Sequence, residues 1–174
     1  MNSRVETLAI TRTRVIGFVL LLGIATAAPL FPNQFITGSV VNATLLVAVA
    51  SLGMRDAILI GLIPCSIALA VGLLPPVLAP MIPFIIVGNA ILVVTFGYLR
   101  QRNYWLGLVS GSILKFAFLF GTSSIVISLL LNQNLASSVA VMMSWPQLVT
   151  ALAGGMIAYG VLRGLRKQNS NLLH

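Results

Sequence analysis

The charged residues of this chain are confined to a few short clusters, and this distribution constrains the fold more than any other feature. Residues 15–54 and 57–99 contain no charged side chain, and residues 103–162 contain only Lys115. A helix needs about 20 apolar residues to cross the roughly 30 Å hydrocarbon core of a bilayer. Each stretch therefore has room for two crossings, and the sequence predicts three helical hairpins in a membrane.

The composition agrees with a surface that faces lipid. Of the 174 residues, 59% are hydrophobic and 7% are charged, whereas soluble proteins carry about 25% charged residues. We predict an all-α integral membrane protein with one six-helix transmembrane domain over residues 15–163, preceded by a cytoplasmic segment at 1–14 and followed by a polar cytoplasmic tail at 164–174. The predicted helices are 15–31, 36–54, 57–74, 80–99, 104–131 and 139–162.

The basic residues also predict the orientation. Nine of the ten Arg and Lys residues fall on one side of the predicted hairpins, while the turns at 29–34, 74–80 and 132–138 carry no charge. Short cytoplasmic loops are enriched in Arg and Lys, so both termini are expected in the cytoplasm. A competing interpretation is a cleaved signal peptide ending at Ala25-Thr26-Ala27. The apolar run continues to Phe31, which favours a retained helix.

Several function classes are disfavoured by simple counts. Cys65 is the single cysteine, and thiolate zinc sites, iron–sulfur clusters and internal disulfides all need more than one. We therefore expect no metal and no cofactor. The net charge of +8 is explained by topology, so we expect no nucleic acid partner.

Polar residues inside the predicted spans are the candidate functional residues, because they are costly in lipid and tend to face the bundle interior or a cavity. Asn42, Asn89 and Gln147 lie on helices that enter from outside, roughly 10 to 15 Å deep at about 1.5 Å per residue. Lys115 lies roughly 16 Å from the cytoplasmic side by the same rise. These four residues are predicted to share one slab of the membrane and to line a ligand cavity. Interhelical hydrogen bonding is the alternative.

Lys115 is the most informative of them, because no Asp or Glu occurs in any predicted span. An unpaired ammonium near the midplane must snorkel, lose its proton, bind backbone carbonyls or meet an anion from outside the chain. We expect it to bind a ligand carboxylate or phosphate, and snorkelling or carbonyl bonding is the alternative. A Lys115→Met protein is then expected to fold as well as the native chain or better.

The sixth predicted helix carries a proline at the same depth. Pro146 has no N–H and should free the carbonyl of Met142, bending the helix beside Gln147. Such a bend serves either packing or a binding site. A small and polar stripe at helical spacing is predicted to face inward, and it consists of Ser144, Gln147, Ala151 and Gly154.

The first predicted helix has a different pattern. Gly23 and Ala27 form a pair of small residues at i and i+4, which permits close approach of another helix. The partner helix belongs either to this bundle or to another subunit.

Together these features resemble the substrate-binding S component of energy-coupling factor (ECF) transporters, which import vitamins and similar micronutrients. The resemblance rests on six short helices over about residues 15–163, a basic cytoplasmic side and the small residues of the first helix. It also rests on the stretch Thr37-Gly38-Ser39-Val40-Val41-Asn42, followed by Leu52-Gly53 and Gly61.

The resemblance implies a prokaryotic plasma-membrane protein that captures a small vitamin-like ligand from outside. Asn42, Asn89, Lys115, Ser144 and Gln147 are then the substrate-binding candidates. Gly23 and Ala27 would dock a transmembrane coupling subunit, which itself carries two ABC ATPases. The chain has no Gly-xxxx-Gly-Lys-Ser/Thr loop of its own.

A self-sufficient small transporter or channel is the alternative function. Against it, the sequence shows no inverted repeat and no intramembrane carboxylate for ion coupling. An enzyme is not expected, because no predicted span contains a His, Asp or Glu that could act as a general base.

Overall fold

The structure is a computed structural model, and it describes residues 2–31, 33–72, 76–130 and 139–171. Within these ranges the chain is helical apart from short turns, and it contains no strand. The long helices are α1 (Asn2–Ala27), α2 (Gln34–Ser51), α3 (Met54–Ala70), α4 (Ile82–Leu99), α5 (Tyr104–Leu130) and α6 (Trp145–Asn171). Short 3-10 helices lie at Ala28–Leu30 and Pro76–Met81.

Five helical segments within the described ranges are long and apolar enough to cross a membrane. They are Arg12–Leu30, Gln34–Ser51, Ala79–Leu99, Tyr104–Ser128 and Val139–Gln168. The remaining helix, α3, has 17 residues, or about 25 Å at 1.5 Å per residue, which is at the short end for a crossing. The protein is thus an all-helical bundle of membrane-protein character.

Several boundaries differ from those predicted. α1 already begins at Asn2 and α6 continues to Asn171, so residues 2–14 and 164–171 extend the flanking helices. α3 ends at Ala70, earlier than predicted. The predicted turn at 132–138 lies outside the described residues.

The sixth predicted helix, 139–162, is not continuous. Residues 139–142 form one helical turn, the chain leaves the helix at 143–144, and α6 starts at Trp145. Pro146 is therefore the second residue of α6, where the missing N–H removes no internal hydrogen bond. The bend predicted at Pro146 is a break in the helix.

Glycines set the closest helix approaches. A Cβ on Gly154 of α6 would lie 2.7 Å from both Asn42 Cβ and the Ser39 carbonyl oxygen of α2. A Cβ on Gly38 of α2 would lie 3.0 Å from Thr150 of α6. These two glycines let the backbones of α2 and α6 approach closely, so the middle of α2 packs directly against α6.

α4 and α5 pack in a similar way. A Cβ on Gly111 would lie 3.1 Å from the Leu92 side chain, and one on Gly107 would lie 3.0 Å from the Arg100 backbone nitrogen. Gly111 and Gly107, which precede Lys115 by one and two turns, therefore let α5 pack closely against α4.

Two apolar clusters fill the bundle. The larger cluster contains residues from all six long helices. It is built around fully buried side chains such as Leu45, Leu46, Ile60, Leu92 and Phe96. The smaller one contains Met81, Leu119, Val126, Val139 and Met143. Asn42, Asn89 and Lys115 are buried within the same bundle.

The connection between α2 and α3 is very short and depends on a glycine. Gly53 has φ +103°, a left-handed conformation that side chains strongly disfavour. Its N–H and that of Leu52 both donate to the Ala48 carbonyl and close the end of α2. α3 follows at once, so Arg55 and Asp56 lie at this turn.

Candidate functional site

Lys115 donates hydrogen bonds to two asparagines on different helices. Its Nζ lies 2.6 Å from Asn42 Oδ1 and 2.8 Å from Asn89 Oδ1. The three side chains come from α5, α2 and α4, and their exposed fractions are only 3%, 1% and 3%. Three of the four polar residues predicted to share one membrane slab thus form a single buried cluster, which we call the Lys115 cluster.

The amide nitrogens of the two asparagines extend the cluster to further helices. Asn42 Nδ2 lies 3.5 Å from Thr150 Oγ1 on α6, and Asn89 Nδ2 lies 3.5 Å from the Gly61 carbonyl on α3. Both distances are long for hydrogen bonds. The Lys115 cluster and its neighbours therefore connect the five helices from α2 through α6. The hydrogen bonds of the ammonium are short, and those of the two asparagine amide nitrogens are long.

Among the described residues, no carboxylate pairs with the ammonium of Lys115. The chain contains two acidic residues, Glu6 and Asp56. Asp56 Oδ2 accepts from both Nε and Nη2 of Arg14, at 2.9 and 2.7 Å. Neutral amide oxygens stabilise the buried charge of Lys115 instead. Sequence reasoning considered backbone carbonyls or an external anion as its partner and did not foresee these side-chain amides.

The cluster retains unused donor capacity. An ammonium has three N–H groups, and no third acceptor for Lys115 is found among the described residues. One turn earlier on α5, Ser112 is fully buried and its Oγ has no hydrogen-bond partner within the described part of the chain. Buried polar groups without partners are uncommon and call for an explanation.

Gln147 and Ser144 do not join the Lys115 cluster. Gln147 Nε2 donates to the Met142 carbonyl at 3.1 Å, and Ser144 Oγ donates to the Val141 carbonyl at 2.7 Å. Gln34 Nε2 of α2 also donates to the Met142 carbonyl, at 2.7 Å. The carbonyl predicted to be freed beside Pro146 is thus paired with two side-chain amides, and the two candidates stabilise the helix break.

The other half of the predicted inward stripe does face the interior. Ala151 and Gly154 are buried, Gly154 against α2, and Thr150 beside them is 2% exposed. Sequence reasoning missed Thr150 and Ser112. Each lies three residues from a candidate, Gln147 and Lys115 respectively, so the i±3 spacing was the available signal.

The small-residue pair of α1 is not used inside the bundle. Gly23 and Ala27 are exposed, and a Cβ on Gly23 would meet nothing within 4 Å. Ala25 and Ala28 take the inward positions and are buried. The sequence left open whether the partner helix of this pair belongs to the same bundle or to another subunit. In the described part of the chain, no helix of the bundle packs on Gly23.

Comparison of the chain with protein-family models, with curated proteins and with solved structures gives no match. The ligand-binding roles of the candidate residues and the docking role of Gly23 and Ala27 accordingly stay predictions.

Proposed function

We propose that the chain is the membrane-embedded substrate-binding subunit of an ECF-type micronutrient importer, and that it takes a small anionic ligand at the Lys115 cluster. The observation that carries the proposal is the buried ammonium of Lys115, whose partners in the described part of the chain are two neutral amides and no carboxylate. A lone charge at the centre of a membrane helix costs about 3 kcal/mol on insertion scales. A residue of this kind is a functional-site hypothesis by default.

The chemistry of the cluster suits a ligand with one anionic group and several hydrogen-bonding groups. A carboxylate or phosphate would offset the desolvation of the ammonium better than an amide oxygen does. Asn42 and Asn89 each carry both a donor and an acceptor, so they can turn from Lys115 to the ligand. The Ser112 hydroxyl, which has no partner among the described residues, offers a further donor.

Ligand capture requires the bundle to open, because the three central side chains are almost fully buried. The break before α6 lies on the side where α2 begins, as the bond from Gln34 to Met142 shows. Asn42 follows Gln34 by two turns, or about 12 Å of helix. Separation of the helix break from the start of α2 is therefore a short route to the cluster from the weakly charged end.

Energy for import would come from partner subunits. On the surface of α1, the small residues Gly23 and Ala27 are exposed. They form a shallow depression among larger exposed side chains, which include Val19, Leu20 and Ile24. Small residues permit close helix packing in lipid. We assign this face to a transmembrane coupling subunit, which would connect the chain to two ABC ATPases.

Small-molecule mass spectrometry of the detergent-purified protein tests the proposal. The native chain should retain an anionic compound that Lys115→Met and Lys115→Gln lose. Truncating one partner of a buried charge pair typically costs 2 to 5 kcal/mol or more, and we expect about that loss here. Lys115→Gln keeps a donor for the asparagines, so it guards against a loss caused only by misfolding.

Arg102→Gln is the matched control, since it removes one exposed positive charge outside the cluster. It should retain the compound. Equal retention by the native chain and by folded Lys115 variants would contradict the proposal. Import by the chain alone in liposomes, without ATPase subunits, would favour the self-sufficient transporter instead.

A further inference from the structure

A cavity lies at the end of the bundle that carries the charged residues, and none of its lining residues belongs to the Lys115 cluster. Its volume is about 760 Å³, and it is bounded by the ends of α2 and α4, the start of α5 and the second half of α6. The residues that matter for its chemistry are Ser51, Arg100, Tyr104, Tyr159, Arg163 and Arg166.

Three arginines make this cavity strongly positive. None of its lining residues in the described part of the chain is acidic, and Asp56 is bound to Arg14. The Nε of Arg100 is buried and has no hydrogen-bond partner within the described ranges. A buried guanidinium nitrogen without an acceptor, beside two more guanidiniums, points to an anion.

Helix dipoles do not cancel this charge. The C-terminal ends of α2 and α4 each contribute about half a negative charge, and the N-terminal end of α5 contributes about half a positive one. Together the three helix ends contribute about half a negative charge, which is small beside the three positive charges of the arginines. The arginine fork also matches the geometry of phosphate oxygens, with two N–H groups for each pair of oxygens.

Part of the cavity wall is apolar and aromatic. The rings of Tyr104 and Tyr159 pack at a tilt of 58° with centroids 5.2 Å apart, and the exposed Trp105 lies 5.3 Å from Tyr159. Tyr and Trp concentrate at the membrane–water interface, which places this end of the bundle at headgroup depth. Leu162 and Leu165 continue the apolar wall.

We propose that this cavity binds a phosphate group, with the three arginines as its ligands and the aromatic and leucine wall as the support for the rest of the molecule. The phosphate belongs either to an anionic phospholipid or to a soluble phosphate ester, since the chemistry of recognition is the same. Basic pockets between transmembrane helices are known to take lipid headgroups. The site is independent of the Lys115 cluster and of the function proposed for it.

Native mass spectrometry of the full chain from nanodiscs with equal phosphatidylglycerol and phosphatidylcholine tests the lipid source. The native chain should retain phosphatidylglycerol selectively. Arg163→Gln/Arg166→Gln alters two exposed residues and should fold, and we expect about tenfold weaker retention from it. Arg55→Gln/Arg102→Gln removes the same charge from exposed sites outside the cavity, and should change retention far less.

Titration with glycerol 3-phosphate in neutral detergent tests the soluble source. Saturable binding that is lost in Arg163→Gln/Arg166→Gln, together with displacement of phosphatidylglycerol, would assign the site to a phosphate ester. Selective lipid retention without such binding would assign it to the lipid. Equal loss of phosphatidylglycerol retention in the two double variants would show that the lipid is attracted only by the overall positive charge, and would overturn the proposal. Failure of the native chain to bind either phosphatidylglycerol or glycerol 3-phosphate would also overturn it.

Discussion

The ammonium of Lys115 lies 2.6 Å from the side-chain oxygen of Asn42, 73 residues earlier in the chain. This contact joins the middle of α5 to the middle of α2, and Asn89 completes it from α4. A charge that the sequence leaves without a partner is thus shared by two neutral side chains. The arrangement changes what removal of the charge should do.

Lys115→Met should lower the thermal stability of the detergent-purified protein. Two buried asparagine oxygens would lose their donor, and an unsatisfied buried group costs about 1 to 3 kcal/mol. This revises the sequence-based expectation that Lys115→Met folds as well as the native chain or better. Adding Asn42→Leu and Asn89→Leu to Lys115→Met should restore stability, because apolar replacement of all partners is often neutral. A triple variant less stable than Lys115→Met would contradict this account.

Gly154→Ala should destabilise the bundle. Its new Cβ would lie 2.7 to 2.8 Å from backbone and Cβ atoms of Ser39, Asn42 and Ala43, and overpacking of this kind costs about 1 to 3 kcal/mol. Gly160→Ala on the same helix is the matched control, since its Cβ would meet nothing within 4 Å. Thermal unfolding should separate the two, and equal midpoints would argue against the close approach of α2 and α6.

Replacement of Gly23 and Ala27 by Leu should leave folding and ligand retention unchanged, because both positions are exposed. It should abolish copurification with a coupling subunit, since the larger side chains prevent close helix approach. Gly121→Leu on α5 is a control at another exposed glycine that meets nothing within 4 Å. Loss of ligand retention with intact assembly would assign this face of α1 to the binding site instead.

The orientation is testable by labelling with an impermeant maleimide in intact cells. In a Cys65→Ser background, a cysteine at the exposed Phe31 should react from outside, whereas cysteines at the exposed Gln101 and Gln168 should react only after lysis. Nine basic residues on one side predict this pattern. Labelling of Gln101 in intact cells would reverse the topology and the proposed route of the ligand.

Much of the helix layout and the shared level of three polar residues along the helices follow from the sequence. Long uncharged stretches dictate helical hairpins, since backbone groups in lipid must be paired within a segment. The constant rise of a helix places Asn42, Asn89 and Lys115 at one level. The sequence also predicts a bend at Pro146, where the structure has the break before α6.

Only the tertiary structure decided which side chains meet. Depth follows from distance along a helix, but contact depends on the rotation and crossing of helices. Lipid-facing and interior-facing residues are both apolar here, so the hydrophobic pattern leaves that rotation undefined. For this reason the sequence predicts Gln147 beside Lys115, whereas its side chain donates to the Met142 carbonyl. The amide partners of Lys115 and the cavity lined by Arg100, Arg163 and Arg166 likewise become visible only in the packed bundle. Their residues come from different helices, which are distant in the chain and adjacent in space.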